Sequence, residues 1–162
     1  MRCYADTSFL VKLLVGEPGS EAAAAEYRRL KLPVIFYLPL HALEVENALR
    51  QKAFHLRRSV PARSRGDIAR NNMVTFSRLE LMLKRKRLVE VAADWDQAIL
   101  RARTLSEKHT ESLGARSLDL LHVAFAIDLE CELFFSTDDC QSRVARAEGL
   151  KVIAISDSNE ET

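Results

Sequence analysis

The sequence predicts an α/β fold of three layers, α/β/α, in which helices cover both faces of a mainly parallel sheet. Short apolar strands alternate with longer helical patterns along the chain, which is typical of parallel sheets. A chain of 162 residues is long enough for one domain with its own core, and a content of 48% hydrophobic and 29% charged residues is ordinary for a globular protein. We therefore expect a single domain over residues 1–155 and a frayed acidic tail over 156–162.

Individual elements follow from hydrophobic spacing and from residues that start or stop helices. Strands are predicted at 3–5, 33–38, 88–91, 133–135 and 151–155. Helices are predicted after Asp6, over 20–30, from Pro39 onward, from Asp94 through Leu105, from a cap at Ser117 and over 140–148. The polar stretch 109–114 is predicted as a loop.

The composition argues against a membrane protein, a secreted protein and a protein built on disulfides or zinc. No apolar run approaches the ~20 residues that a membrane helix needs, and the first residues lack the apolar core of a secretion signal. Cys3, Cys131 and Cys140 are an odd number without CxxC spacing, so neither a disulfide framework nor a zinc site is indicated. A cytoplasmic protein without membrane contact is expected.

Positive charge is concentrated in the middle of the chain. Residues 50–87 hold twelve Lys or Arg and two acidic residues, a local net charge of +10, whereas the remainder carries −9. The segment is predicted as a helical hairpin that projects from the sheet, with breaks near Pro61 and Gly66. Such segregation favours a polyanion such as RNA, although a solvated helical face is the alternative. The candidate RNA-binding residues are Arg57, Arg58, Arg63, Arg65 and Arg70.

Acidic residues follow two of the predicted strands. Asp6 ends the first strand, and Asp138 and Asp139 follow the strand at 133–135. Because parallel strands end at a common edge, we expect these carboxylates to lie close together. Asp119 falls in the first turn of an apolar helix, where the helix dipole favours an ionised carboxylate. Taken alone, Asp6 is more simply explained as a helix cap.

Glu44 is predicted to point inward. In the helix that Pro39 opens, Glu44 shares a face with Leu40, Leu43 and Asn47, while Glu46 lies about 200° away. A buried carboxylate needs a partner, which a metal ion or a nearby Arg would supply.

A cluster of Asp and Glu without His or Cys suits Mg²⁺ or Mn²⁺, which prefer hard oxygen ligands. One or two such ions can activate water and steady the leaving oxygen of a phosphodiester. His122 lies one turn after Asp119, but on an apolar helix it is more often a packed histidine than a ligand or an acid–base group.

Four motifs carry a family resemblance: DTSFLVKLL at the start, LEVENAL at 43–49, RSLDLLHVAFAI at 116–127 and STDD at 136–139. In this order they resemble the PIN-domain nucleases, and most of all the VapC-type toxins of bacterial toxin–antitoxin pairs. The resemblance covers nearly the whole chain and makes residues 1–155 a PIN-like domain. It implies a metal-dependent, single-strand-specific endoribonuclease that is usually dimeric and is held inactive by a small antitoxin protein.

Carried onto this sequence, the resemblance assigns catalysis and metal binding to Asp6, Glu44, Asp119 and Asp139. In the family, the last motif reads Thr, any residue, Asp. Here the residue between Thr137 and Asp139 is also acidic, so Asp138 could share or replace the role of Asp139. Ser8, Arg116 and Thr137 are auxiliary candidates. Arg116 would contact a phosphate or pair with a carboxylate of the cluster.

Three other functions compete with a toxin. An RNA-processing nuclease without an antitoxin would use the same residues. A phosphoacceptor signalling domain would need an acidic pair after the first strand, where this chain has only Asp6. A catalytically inactive nucleic-acid-binding module would keep the basic surface but gain no stability from metal.

Overall fold

Five short parallel strands form one sheet in the computed structural model, which describes residues 1–155. The strands are β1 (Cys3–Ala5), β2 (Ile35–Tyr37), β3 (Leu88–Glu90), β4 (Leu133–Ser136) and β5 (Lys151–Ala154). Their order across the sheet is β3-β2-β1-β4-β5, so β1 lies at the centre beside β2 and β4. The three-layer α/β/α prediction is confirmed. The predicted tail at 156–162 lies outside the described residues.

Within residues 1–155, seven α-helices connect these strands. They are α1 (Thr7–Leu14), α2 (Ser20–Arg29), α3 (Pro39–Ser59), α4 (Arg65–Lys84), α5 (Trp95–Leu113), α6 (Ser117–Asp128) and α7 (Asp139–Ala147). The loop predicted at 109–114 is wrong, because α5 continues to Leu113. It ends at Gly114, whose left-handed φ of 70° lets its N–H bond the carbonyl of Thr110.

Side chains of the central strands alternate between two cores, as the pleat of a strand requires. On one face Phe135 packs against Phe9, with ring centroids 4.8 Å apart. On the other face Tyr4 and Phe134 are stacked at 5.8 Å, within the core formed with α5, α6 and α7. The sheet is therefore buried on both sides and can hold polar groups at the ends of its strands.

The basic segment forms the predicted helical pair, α3 and α4, with a break at 60–64 that contains one 3₁₀ turn. The pair does not simply project, since α4 also contacts α1 and β3. Ile68 and Leu79 are buried in α4, whereas Met73 of the same helix is 71% exposed. Among residues 1–155, no helix combines the length and hydropathy needed to cross a membrane.

Candidate active site

The predicted acidic edge exists because β1 and β4 are neighbours in register. Ala5 pairs with Phe135, and the backbone N–H of Asp6 donates to the Phe135 carbonyl at 2.9 Å. Asp6 and the residues after β4 therefore leave the sheet side by side. The N-terminal parts of α3 and α6 bring Glu44 and Asp119 toward the same edge through the contacts described below.

Asp6 is the innermost carboxylate of the site, with 3% exposure. It caps α1: Oδ1 accepts from the N–H of Phe9 at 2.8 Å and from Ser8 Oγ at 2.7 Å. Oδ2 accepts from Ser136 Oγ at 2.6 Å. Burial raises the pKa of Asp6 above its usual value, and these hydrogen bonds offset the effect only in part.

Glu44 reaches inward as predicted, although its helical face differs from the one expected. The buried stripe of α3 runs through His41, Val45, Leu49 and Ala53, whereas Leu43 and Asn47 are exposed. Glu44 lies at the border of this stripe, so its long side chain can still bend toward the core. Glu46 is directed outward, where it pairs with Arg50 at 2.8 Å.

One oxygen of Glu44 holds both of its protein contacts. Oε2 accepts from Thr7 Oγ1 at 2.8 Å and lies 2.6 Å from Nε2 of His122. Burial favours the neutral acid, but the hydrogen bond and charge of His122, together with the bond from Thr7, outweigh it and lower the pKa of Glu44. Glu44 is thus held as a carboxylate.

Arg116 bridges two further carboxylates. Its Nε lies 3.0 Å from Asp119 Oδ2, and its Nη2 lies 3.5 Å from Asp138 Oδ2. Of the two contacts considered for Arg116, a phosphate or a carboxylate of the cluster, the carboxylate contact is present, and Asp119 raises the pKa of Arg116. Arg116, rather than the predicted Ser117, occupies the cap position of α6, and its N–H donates to Asp119 Oδ2 at 3.1 Å.

The two consecutive aspartates after β4 have different surroundings. Asp138 caps α7: its Oδ1 accepts from the N–H of Gln141 at 2.7 Å, and its own N–H donates to Ser136 Oγ at 2.9 Å. The side chain of Asp139 is exposed and makes no hydrogen bond or ion pair with the rest of the described chain. Asp138 is therefore the aspartate joined to Asp6 and Asp119 through shared protein contacts.

The auxiliary candidates Ser8 and Thr137 also meet here. Thr137 Oγ1 donates to Ser8 Oγ at 2.7 Å, and Ser8 in turn donates to Asp6. Sequence reasoning missed Ser136, whose hydroxyl donates to the other oxygen of Asp6, Oδ2. A signal was present: Ser136-Thr137-Asp138 repeats the hydroxyl, any residue, Asp spacing one position earlier than Thr137-Asp138-Asp139.

Oxygen donors at this edge suit a hard divalent cation. In the described part of the chain, no donor contacts Oε1 of Glu44 or Oδ1 of Asp119, and neither oxygen is sealed from solvent. No three His, Cys, Asp or Glu side chains in residues 1–155 are grouped as a formed metal site. The oxygen donors are of the kind that Mg²⁺ or Mn²⁺ prefers. In this arrangement, however, Arg116 supplies the positive charge between Asp119 and Asp138.

The five candidate RNA-binding arginines are all exposed on α3, α4 and the break between them. Arg58 lies over the ring of Phe54 at 5.4 Å, and Arg70 pairs with Asp67 at 3.2 Å. Within residues 1–155, Arg57, Arg63 and Arg65 make no ion pair, so their charges are free to meet a polyanion.

Comparisons with known proteins agree with this architecture. The sequence matches the PIN domain family over residues 3–147. Among solved structures, FitAcB from Neisseria gonorrhoeae superposes with a TM-score of 0.60 at 14% identity, covering 93% of this chain and 96% of that one, a likeness of fold alone. A search of the curated proteins found no significant match. Because the family match spans nearly all of the described residues, the chain belongs to the PIN domain family.

Proposed function

We propose that the protein is a metal-dependent endoribonuclease that hydrolyses RNA phosphodiester bonds with Mg²⁺ or Mn²⁺. PIN domains are generally nucleases, which supports the reaction class. The observation that carries the proposal is that Asp6, Asp119 and Asp138 are linked through Ser136 and Arg116, while the neighbouring Thr7 and His122 hold Glu44. Within residues 1–155, Oε1 of Glu44 and Oδ1 of Asp119 have no protein donor. Close carboxylates repel one another, so this arrangement favours a cation.

In this proposal Asp6, Glu44 and Asp119 bind the metal together with one aspartate that follows β4. When bound, the ion would act as a Lewis acid toward the phosphate and lower the pKa of a water molecule. The protein's own part is to hold its carboxylates in place. Ser8 and Ser136 fix Asp6, Thr7 fixes Glu44, and Arg116 lies where it can exchange a carboxylate for a substrate phosphate.

For the fourth carboxylate we favour Asp138. The family pattern assigns the role to Asp139, but the contacts of Asp138 with Ser136 and Arg116 connect it to the other three acidic residues. Asp138 also caps a helix, where free N–H groups orient one of its oxygens and leave the other toward Arg116. Asp139 remains the alternative ligand.

The exposed arginines of α3 and α4 are proposed to bind the RNA backbone. Phosphate contacts position a nucleic acid without reading its sequence, so this surface would supply affinity and orientation. The nearby Phe54 is 54% exposed and could stack on a base.

We further propose that the protein acts in the cytoplasm, forms a homodimer and is bound by a small antitoxin. The resemblance to VapC-type toxins motivates both partners. Large apolar side chains on α3 and α4 are available for such contacts, since Leu43 is 69% and Met73 is 71% exposed. Light scattering would give the oligomeric state, and co-expression with the product of a neighbouring gene would test the antitoxin. An RNA-processing nuclease on the same site would have no such partner.

Cleavage of a mixed pool of structured RNAs tests the proposal. The purified protein is incubated with Mg²⁺ or Mn²⁺, and parallel samples contain EDTA or single-stranded DNA in place of RNA. We expect fragments only from RNA and only with metal. Fragments formed equally in EDTA would contradict the metal requirement, and a protein that neither cuts RNA nor binds Mn²⁺ would be an inactive scaffold.

A further inference from the structure

His122 lies at the centre of a buried polar chain that links the core to the acidic edge. It is 3% exposed on α6, with Nδ1 2.9 Å from the hydroxyl of Tyr4 and Nε2 2.6 Å from Oε2 of Glu44. Tyr4 is fully buried on β1, and in the described chain its hydroxyl has no other partner. Three elements distant in sequence thus meet through one imidazole.

The chemistry of the partners fixes the orientation of this ring. The Glu44 carboxylate can only accept hydrogen bonds, so Nε2 of His122 carries a proton and donates it. A flipped ring would present carbon atoms to both Tyr4 and Glu44. It would leave the buried hydroxyl of Tyr4 without a partner and remove one of the two donors to Oε2 of Glu44, which is costly. The imidazole therefore has one favourable orientation.

The neighbouring His41 cannot replace His122. Its ring centroid lies 5.3 Å from that of His122. However, its Nδ1 accepts from the N–H of Leu38 at 2.9 Å, and its Nε2 lies 2.9 Å from the carbonyl of Ala5. His41 thus secures the start of α3 to the end of β1, and the donor toward Glu44 comes from His122 alone on this side.

We propose that His122 is a positioning residue for catalysis: it saturates Oε2 of Glu44 together with Thr7, so that Oε1 is the oxygen offered to a metal ion. Tyr4 holds the imidazole in the orientation that makes this possible. The inference rests on the proposed metal-dependent function, which it deepens by assigning an outer residue to the site. Outer partners of metal ligands commonly contribute 10–100-fold to metal affinity or activity.

Three variants separate positioning from packing. His122→Leu removes the donor, His122→Gln keeps an N–H near the position of Nε2, and Tyr4→Phe removes only the hydroxyl that holds the ring. We expect His122→Leu to weaken Mn²⁺ binding in calorimetry, and to lower kcat for RNA, by about 10–100-fold with KM little changed. His122→Gln should recover most of the loss, and Tyr4→Phe should lie between them.

Tyr27→Phe is the matched control for Tyr4→Phe. Tyr27 is also buried, and its hydroxyl donates to the carbonyl of Pro33 at 2.8 Å, away from the acidic edge. Both variants should lower the melting temperature, but only Tyr4→Phe should weaken Mn²⁺ binding. If His122→Leu folds and binds Mn²⁺ as tightly as the wild type, with the same kcat, His122 has a packing role and the proposal is wrong.

A metal-free measurement distinguishes this proposal from the nuclease proposal. In EDTA, ¹⁵N-histidine NMR should show a slowly exchanging proton on Nε2 of His122 that is lost in Glu44→Ala. Its absence from the wild type would refute the contact itself. Its presence in a protein that binds no Mn²⁺ would overturn the nuclease proposal, and the positioning role with it, while leaving the contact in place.

Discussion

At the scale of single residues, the site is built by hydrogen bonds that restrain carboxylates. Both carboxylate oxygens of Asp6 accept hydrogen bonds from protein donors, whereas in the described chain Glu44 and Asp119 each accept through one oxygen. The sequence indicated which acidic residues to consider, because each follows a strand or lies near the start of a helix. It could not reveal the contact of His122 with Glu44, because the two residues are 78 positions apart and meet only in the folded chain.

Replacing Asp6 by Asn should stabilise the metal-free protein. Burial raises the pKa of Asp6, because it favours the protonated carboxyl. The contribution of this group to the free energy of unfolding is therefore fully present below the ordinary pKa of 3.8, and it is lost as the pH rises through the folded-state pKa. Asn caps helices as well as Asp and carries no charge. In EDTA, thermal melts of the wild type should therefore decline more steeply above about pH 4 than those of Asp6→Asn.

The same variant should lose function. Stabilisation by Mn²⁺ and cleavage of RNA should both disappear in Asp6→Asn, although the metal-free protein melts at a higher temperature than the wild type. If Asp6→Asn melts at a lower temperature than the wild type in EDTA at neutral pH, the buried charge of Asp6 does not destabilise the folded protein.

The choice between Asp138 and Asp139 is a second test at this scale. Asp138→Asn should lower kcat at least about tenfold more than Asp139→Asn, because only Asp138 contacts Ser136 and Arg116. Each substitution removes one charge from adjacent positions, so each controls for the other. The reverse order of activities would return the ligand role to Asp139 and leave Asp138 as a helix cap.

At the scale of elements, spacing predicted the strands and helices well where the core decides them. β1 and β4 are short apolar runs whose register places Asp6 beside the end of β4. The prediction failed where polar residues that favour helices continue a helix, as in α5 beyond Leu105. It also failed where packing against neighbouring helices determines which residues of a helix are buried. In α3 that stripe runs through His41 and Val45, so Leu43 faces solvent.

The α3–α4 pair carries a prediction about RNA binding. Reversing the charges of Arg63 and Arg65 to Glu should weaken RNA binding and reduce its salt dependence, because each lost phosphate contact lowers the slope of log K against log salt by about 0.7 for a single strand. Fluorescence anisotropy across a salt series measures both quantities.

Arg103 and Arg146 provide the matched control for this experiment. Both are exposed, and they lie on α5 and in the last turn of α7, outside the basic pair of helices. Their double reversal to Glu changes the net charge equally but should leave the slope nearly unchanged. Equal effects of the two double variants would mean that net charge alone attracts RNA.

At the scale of the whole molecule, the parallel sheet explains why the site forms at one edge. Covering both faces with helices leaves the strand ends as the place where charged groups can meet solvent. The alternation of strands and helices in the sequence was sufficient to predict this architecture. It was insufficient to predict how far α3 and α4 pack against the sheet, because that depends on which of their apolar residues are buried, as Leu79 is and Met73 is not.

The central claim is that the acidic edge is a catalytic metal site, and Asp119→Asn tests it most directly. Asp96→Asn is the matched control, since Asp96 is an exposed carboxylate in the first turn of α5 and corresponds to Asp119 in the first turn of α6. Cleavage of the RNA pool with Mn²⁺ should fall at least about a hundredfold in Asp119→Asn, with circular dichroism unchanged, and should persist in Asp96→Asn. Retained turnover in folded Asp119→Asn would contradict the assignment of this site.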